Sequence, residues 1–226
     1  MDAHGPPLRP QLDSFTVTPE RREAARGLLA RVAFLLYDRG LTELQGGNMS
    51  LRLGDEVVIT PTKASENDGW RIAAEDTIVT DLSGTVLAGD PSRVSRETTL
   101  HLRLYRAYGD VGCVLHLHLP EALAAAAAGR WEPWVVAASP DRFGVALCLL
   151  ETGLGAQTEP HDARVEELLG LVARERGAVS ISPGHGIVAV ARDVQTTIRA
   201  ADVLRQRLDE DRLRARLRLA REKGWA

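Results

Sequence analysis

The stretch that decides the fold is VGCVLHLHLP, residues 111–120. Its leading half is apolar and partly β-branched, which predicts a buried strand, and Pro120 ends that strand before an alanine-rich helix. Because side chains alternate faces along a strand, His116 and His118 point the same way and Leu117 points the other way. Two imidazoles on one face of a rigid strand can hold a single metal ion. The alternative is two core histidines bonded to backbone groups, which needs two separate polar partners in an apolar strand.

The composition excludes several classes of function. A chain of 226 residues with 44% hydrophobic and 26% charged residues is ordinary for a soluble globular protein of one large or two small domains. A formal net charge of −3 gives no electrostatic reason to bind nucleic acid or an anionic membrane. Without a basic-then-apolar leader or a run of ~18 apolar residues, nothing predicts secretion or membrane insertion. Cys113 and Cys148 lie apart in apolar runs, as expected of reduced core residues in a cytoplasmic protein.

Local patterns predict the elements before the histidine strand. Residues 1–17 hold three prolines without periodicity and predict a flexible arm, which leaves residues 18–226 as the folded domain. Helical spacing predicts a helix that begins after Thr18 and stops at Gly40. Short strands between residues 48 and 87 predict an antiparallel sheet interrupted by a loop at 63–75. Further patterns predict a helix from about 95 to 109, strands at 134–138 and 145–150, a helix at 161–175, strands at 178–182 and 187–191, and a long charged helix at 194–223.

Residues outside that strand complete a candidate metal site. His185 lies between two glycines in a turn that joins two apolar strands, so its imidazole is presented at the end of the sheet. Three histidines on rigid elements with a fourth position open are a catalytic zinc arrangement. Glu97 and His101 lie at i and i+4 on a predicted helix; they form either a surface pair or a carboxylate that moves a proton at the metal. The pair Gly46-Gly47 is either an anion-holding turn or an ordinary tight turn.

Four motifs follow one another along the chain in a specific order: Gly47-Asn48, Glu97 with His101, His116 with His118, and Gly184-His185-Gly186. This order resembles the class II aldolase/adducin family, over about residues 25–205. The resemblance implies an α/β fold, a single three-layer α/β/α domain around a mostly antiparallel central sheet. It also implies one divalent metal ion, usually zinc, and a homo-oligomer, most simply a cyclic tetramer with active sites between subunits.

The resemblance implies a role for each candidate residue. His116, His118 and His185 are the metal ligands, and Glu97 is the acid/base that removes and returns a proton. The implied reaction is retro-aldol cleavage of a small ketose phosphate through an enediolate that zinc stabilises as a Lewis acid. Imidazole suits several ions, so the alternative of another divalent metal stays open. The residues implied to bind the substrate phosphate are Gly47, Asn48, Thr62 and Ser95.

Some positions depart from the fuculose-phosphate aldolases of that family. Gln45 replaces Thr in the glycine-rich turn, Lys63 replaces a Gly, Arg96 replaces a small residue, and the proton-donating tyrosine of the next subunit matches Ala137. The sequence of residues 95–101 equally resembles the matching segment of the methylthioribulose-phosphate dehydratases. The alternative enzyme is therefore a dehydratase that uses the same metal and glutamate. A non-catalytic adducin-like assembly domain is the alternative of a different class, disfavoured because the histidines and the glutamate are all kept.

Overall fold

One eight-stranded sheet organises the part of the chain that this computed structural model describes, residues 17–127, 146–149, 177–182 and 186–223. The strand order is β4-β3-β2-β1-β5-β8-β7-β6, and all neighbouring pairs are antiparallel except β6 and β7. The predicted mostly antiparallel sheet is therefore confirmed. The strands are β1 (Asn48–Leu53), β2 (Glu56–Ile59), β3 (Ile78–Asp81), β4 (Val86–Ala88), β5 (Cys113–Leu117), β6 (Ala146–Leu149), β7 (Ala178–Ser182) and β8 (Gly186–Ala191).

Helices cover both faces of the sheet, which confirms the single three-layer α/β/α domain. They are α1 (Pro19–Asp38), α2 (Ala64–Asp68), α3 (Thr98–Ala107), α4 (Pro120–Ala127) and α5 (Val194–Glu222). Helices α1, α4 and α5 share a core with Leu115 and Leu117 of β5. Helix α3 packs on the opposite face, against Val114 of the same strand. Because strand side chains alternate, His116 faces the α3 layer together with Val114.

The register of β5 with its two neighbours positions the polar residues around His116. In β1 the residue opposite His116 is Asn48, and in β8 it is Val188. Residues directly opposite one another in an antiparallel pair project from the same face of the sheet. The central strand therefore brings Asn48 and His116 side by side, although they lie far apart in the sequence.

The predicted loop at 63–75 is wrong in part, because α2 and a 3-10 turn at Ala74–Asp76 lie within it. Lys63 before α2 and Gly69 after it both adopt left-handed backbone conformations, so the helix has little more than one turn. A helix that short leaves no hydrophobic period in the sequence. The apolar pattern at 56–62 predicts a strand over all seven residues, but β2 ends at Ile59.

Several predicted elements lie outside the described residues. These are most of the N-terminal arm at 1–17, the strand at 134–138, the helix at 161–175 and the turn that contains His185. The strand predicted at 145–150 is described over Ala146–Leu149, and the strands predicted at 178–182 and 187–191 are both present.

Helix α5 confirms the long charged helix predicted at 194–223. Asp193 caps it by accepting a hydrogen bond from the Thr196 N–H at 2.8 Å. Its first half packs Ala200 and Leu204 against the sheet, whereas exposed leucines appear in its second half. Leu213, the most exposed of them, has 58% of its surface open to solvent. Of the helices that the structure describes, none is long and apolar enough to cross a membrane.

Candidate functional site

His116 is held in a defined tautomer by the backbone of β8. Its side chain is buried, and its Nδ1 lies 3.0 Å from the carbonyl oxygen of Ile187. A carbonyl oxygen can only accept a hydrogen bond, so Nδ1 carries the proton of the neutral ring and Nε2 keeps the lone pair. This arrangement orients the nitrogen that a metal ion needs.

His118 lies one residue beyond β5, on the same side of the chain as His116. The two ring centroids are 5.2 Å apart, and the rings meet edge to face at 78°. Imidazole nitrogens bind zinc at about 2.0–2.1 Å, so two rings that share a tetrahedral ion have centroids roughly 5 Å apart. The pair therefore fits two ligands of one ion. Within the described ranges no group of three metal-binding side chains is found, and His185, the third predicted ligand, lies outside those ranges.

The backbone next to position 185 contacts both rings. A Cβ atom on Gly186 would lie 3.0 Å from His116 Cε1, 3.2 Å from His118 Cδ2 and 2.7 Å from the carbonyl oxygen of Leu117. Such distances leave no room for a side chain, so glycine is required here for close approach. Gly186, the residue after His185, therefore lies directly beside the two imidazoles.

The glycine pair before β1 also packs closely on the histidines. A Cβ on Gly46 would lie 2.4 Å from His118 Cε1, and one on Gly47 would lie 2.8 Å from the carbonyl oxygen of His116. Both residues have positive φ angles, +136° and +93°, which side chains disfavour. The Gly46 N–H donates to Ser65 Oγ at 3.1 Å. Gly46 thus brings backbone against the His118 ring and Gly47 against the backbone of His116, a use that the sequence pattern alone did not distinguish from a tight turn.

Glu97 lies next to His116 at the start of α3. It is the N-cap residue of the helix rather than part of it. Its Oε2 is 3.6 Å from His116 Nε2 and accepts a hydrogen bond from Asn48 Nδ2. Since Asn48 faces the same side of the sheet as His116, its amide holds the carboxylate beside that imidazole. The structure thus places the predicted acid/base next to a predicted ligand.

The residues predicted to bind a phosphate are brought together only in part. Ser95 is buried, and its hydroxyl accepts the Glu97 N–H at 3.3 Å. Asn48 is buried against Glu97, and within the described residues its Oδ1 has no hydrogen-bond partner. Thr62 is bonded to the segment that leads to Ser95, since its N–H donates to the carbonyl of Arg93 at 2.7 Å. Gly47, Asn48 and Ser95 therefore each contact His116 or Glu97, whereas Thr62 is joined to the segment before Ser95.

A buried polar cluster behind Glu97 was missed by the sequence analysis. His101 Nδ1 lies 2.6 Å from Ser50 Oγ, which lies 2.7 Å from the hydroxyl of Tyr105. His101 is fully buried, so the alternative of a surface Glu97–His101 pair is wrong. Burial, with a smaller effect of the neighbouring His116, lowers the pKa of His101 to about 3. The ring is therefore neutral at physiological pH. The i, i+4 spacing of Glu97, His101 and Tyr105 was the available signal for a shared inner face.

The family is established by comparison with known proteins. The model of the family described as Class II Aldolase and Adducin N-terminal domain matches residues 27–209, most of the chain. The chain therefore belongs to the class II aldolase/adducin family, whose members among its relatives include an aldolase, dehydratases and a decarboxylase.

Individual relatives are distant. A methylthioribulose-1-phosphate dehydratase from Sorangium cellulosum (strain So ce56) is 27% identical over 190 residues, which cover 80% of this chain and 88% of that protein. An L-fuculose phosphate aldolase from Methanococcus maripaludis is 35% identical over 88 residues, which cover 39% of this chain and 46% of that protein. The crystal structure of l-fuculose-1-phosphate aldolase from Thermus thermophilus superposes with a TM-score of 0.59 at 21% identity, covering 91% of this chain and 98% of that one. That likeness supports the fold alone.

Proposed function

We propose that this chain is a metal-dependent class II aldolase that cleaves a small ketose phosphate. The metal, zinc or another divalent ion, would be held by His116, His118 and His185, and Glu97 would be the acid/base. The observation that carries the proposal is the position of the Glu97 carboxylate, 3.6 Å from Nε2 of a histidine whose other nitrogen is fixed by a carbonyl. A carboxylate so placed is within reach of a substrate bound at the same centre.

The metal ion and three side chains of the site have different proposed roles. A divalent ion, when bound, would supply Lewis acidity that stabilises negative charge developing on the substrate's ketone oxygen. Glu97 would take the proton from the hydroxyl on the carbon that becomes the aldehyde and return it to the carbon released by C–C cleavage. Asn48 donates to Glu97 Oε2 and keeps the carboxylate turned toward His116, while the Ser95 hydroxyl accepts the Glu97 N–H. The position of the acid/base is thus set by two neighbours.

The substrate's phosphate would bind at the edge of the same group. The residues proposed for it are Gly47, Asn48, Thr62 and Ser95, with exposed Lys63 beside Thr62 as a source of positive charge. Lys63 adopts a left-handed conformation at φ +59°, which costs a non-glycine residue roughly 1–2 kcal/mol. With these residues at the site, a small phosphorylated sugar is the proposed substrate. The cytoplasmic location stays a prediction.

Dehydration of a ketose 1-phosphate is a second candidate function. It is favoured by the relative from Sorangium cellulosum, named a methylthioribulose-1-phosphate dehydratase, which aligns with 80% of this chain. In a dehydration Glu97 would remove a C–H proton next to the ketone, and a hydroxyl would leave the neighbouring carbon as water. In either reaction one carboxylate can serve both proton transfers, because one proton is removed from the substrate and one is returned.

The two reactions are distinguished by their products. We expect the zinc-loaded protein to release a three-carbon phosphate from at least one of a panel of ketose 1-phosphates. A coupled assay and NMR would detect that product. Methylthioribulose 1-phosphate belongs in the same panel, because loss of water without C–C cleavage would identify the dehydratase. The matching non-phosphorylated ketoses serve as controls and should react far more slowly. No reaction with any phosphorylated ketose would contradict the proposal.

We also expect a closed homo-oligomer, most simply a tetramer. The second half of α5 exposes Leu213, Leu217 and Leu219, and the family resemblance implies active sites between subunits. Light scattering coupled to gel filtration at micromolar protein should give a mass near four times 24.6 kDa. A monomer that retained full activity would rule this prediction out.

A further inference from the structure

The loop that precedes β1 wraps around the ring of His118. Gly46 approaches the ring so closely that a Cβ there would lie 2.4 Å from Cε1, 3.0 Å from Nδ1 and 3.1 Å from Nε2. At the other end of the loop, Oε1 of Glu43 lies 3.8 Å from Nδ1 of the same ring. His118 is thus contacted by the backbone of this loop and approached by one of its carboxylates.

The backbone of this loop is fixed by buried side chains. The indole N–H of Trp70 donates to the carbonyl of Glu43 at 2.8 Å, and Trp70 has no exposed surface. Ser65 Oγ accepts the N–H of Gly46 at 3.1 Å. Both anchors belong to the segment around α2, so Glu43 is held at a set distance from the end of β5 rather than placed on a mobile loop.

We propose that Glu43 is a positioning residue for the metal centre, whose carboxylate receives the Nδ1–H of His118 and so directs Nε2 toward the ion. This inference rests on the proposed function, since it concerns a ligand of the proposed metal. The 3.8 Å separation exceeds hydrogen-bond length. The Glu43 side chain is 35% exposed and keeps enough rotational freedom to close the gap.

The two histidines would then be held by partners of different charge. His116 donates to a neutral carbonyl, that of Ile187. Glu43 would give His118 a charged acceptor, and hydrogen bonds to ionised groups are shorter and stronger than those between neutral groups. A carboxylate behind a metal-binding imidazole fixes its tautomer and makes it a stronger electron donor. Glu43 therefore tunes the ligand that is more exposed to solvent.

The test is zinc affinity of the full-length, metal-free protein, measured by competition with a chromogenic chelator. Replacing such a partner typically weakens metal binding roughly 10–100-fold, and we expect that loss for Glu43→Ala. Glu43→Gln should lie between Glu43→Ala and the wild type, because its amide oxygen still accepts a hydrogen bond but carries no charge. Asp55→Ala, which removes an exposed carboxylate from the turn between β1 and β2, is the control and should bind zinc as the wild type does.

A second measurement separates orientation from simple charge attraction. In the metal-free wild type, ¹⁵N NMR should find the His118 proton on Nδ1, and Glu43→Ala should shift it toward Nε2. Zinc affinity of Glu43→Ala within about twofold of a zinc-binding wild type would overturn the inference and leave the proposed function standing. A wild type that bound no zinc would overturn both. An unchanged His118 tautomer in Glu43→Ala would show that Glu43 does not position the ring.

Discussion

Glu97→Gln is expected to lower kcat by about 10²–10⁴-fold while the metal stays bound, because general acid–base catalysis contributes in that range. Glutamine keeps the size of the side chain, and its amide oxygen can still accept the hydrogen bond that Asn48 gives to Glu97. The proton-accepting oxygen is lost while the surrounding contacts are retained. KM should change much less than kcat, since the remaining contacts bind the ground state and the transition state alike.

The measurement combines steady-state kinetics on the best substrate of the ketose panel with metal analysis of the same sample. Retained metal with lost turnover assigns Glu97 to proton transfer. Near-normal turnover in Glu97→Gln would make Glu97 a structural cap of α3, and the proposed mechanism would be wrong. Ser95→Ala is a useful companion, because it removes the hydroxyl that accepts the Glu97 N–H and is proposed to bind phosphate, but keeps the carboxylate. Its effect on kcat should be smaller.

His118→Ala is expected to lose metal and activity together. Three imidazoles would hold the ion, and removal of one leaves two, which bind zinc too weakly to keep it through purification. His118 suits this experiment better than His116, because its side chain is 18% exposed whereas that of His116 is 2% exposed. Truncation at His118 therefore leaves a smaller buried cavity in the sheet core.

Metal content by elemental analysis and residual activity are the two readouts. The metal-free wild type is the control, since His118→Ala should match it in both activity and thermal midpoint. A fall in thermal midpoint below that of the metal-free wild type would report damage to the fold instead. Undiminished metal content in His118→Ala would exclude this residue as a ligand.

The histidine pair could be predicted from sequence because it depends on local geometry alone. Alternation along one strand places His116 and His118 on the same side, and the surrounding apolar residues identify the strand as central. The three-layer arrangement followed from the family resemblance, and the sheet and helix patterns agree with it. Helices could be predicted wherever they are long enough for the helical spacing of apolar residues to repeat several times, as in α1 and α5.

Other features of the site depend on contacts between distant parts of the chain. The Asn48–Glu97 hydrogen bond exists because β1 pairs with β5, a register that no local pattern specifies. The burial of His101 depends on which face of α3 meets the sheet. The contact of Gly46 with His118 is visible only in three dimensions, because a glycine pair in sequence fits a tight turn equally well.

Solvent deuterium in the product is the most direct test of the proposed proton transfer by Glu97 to or from a substrate carbon. Hydroxyl and carboxylate protons exchange with solvent. Aldol cleavage delivers one such proton to carbon, and the enol that dehydration forms gains one at carbon when it becomes the ketone. The zinc-loaded wild type, turning over a ketose 1-phosphate in D₂O, should give a product with one deuterium on carbon by NMR and mass spectrometry. A product formed at full rate with no deuterium on carbon would contradict the account.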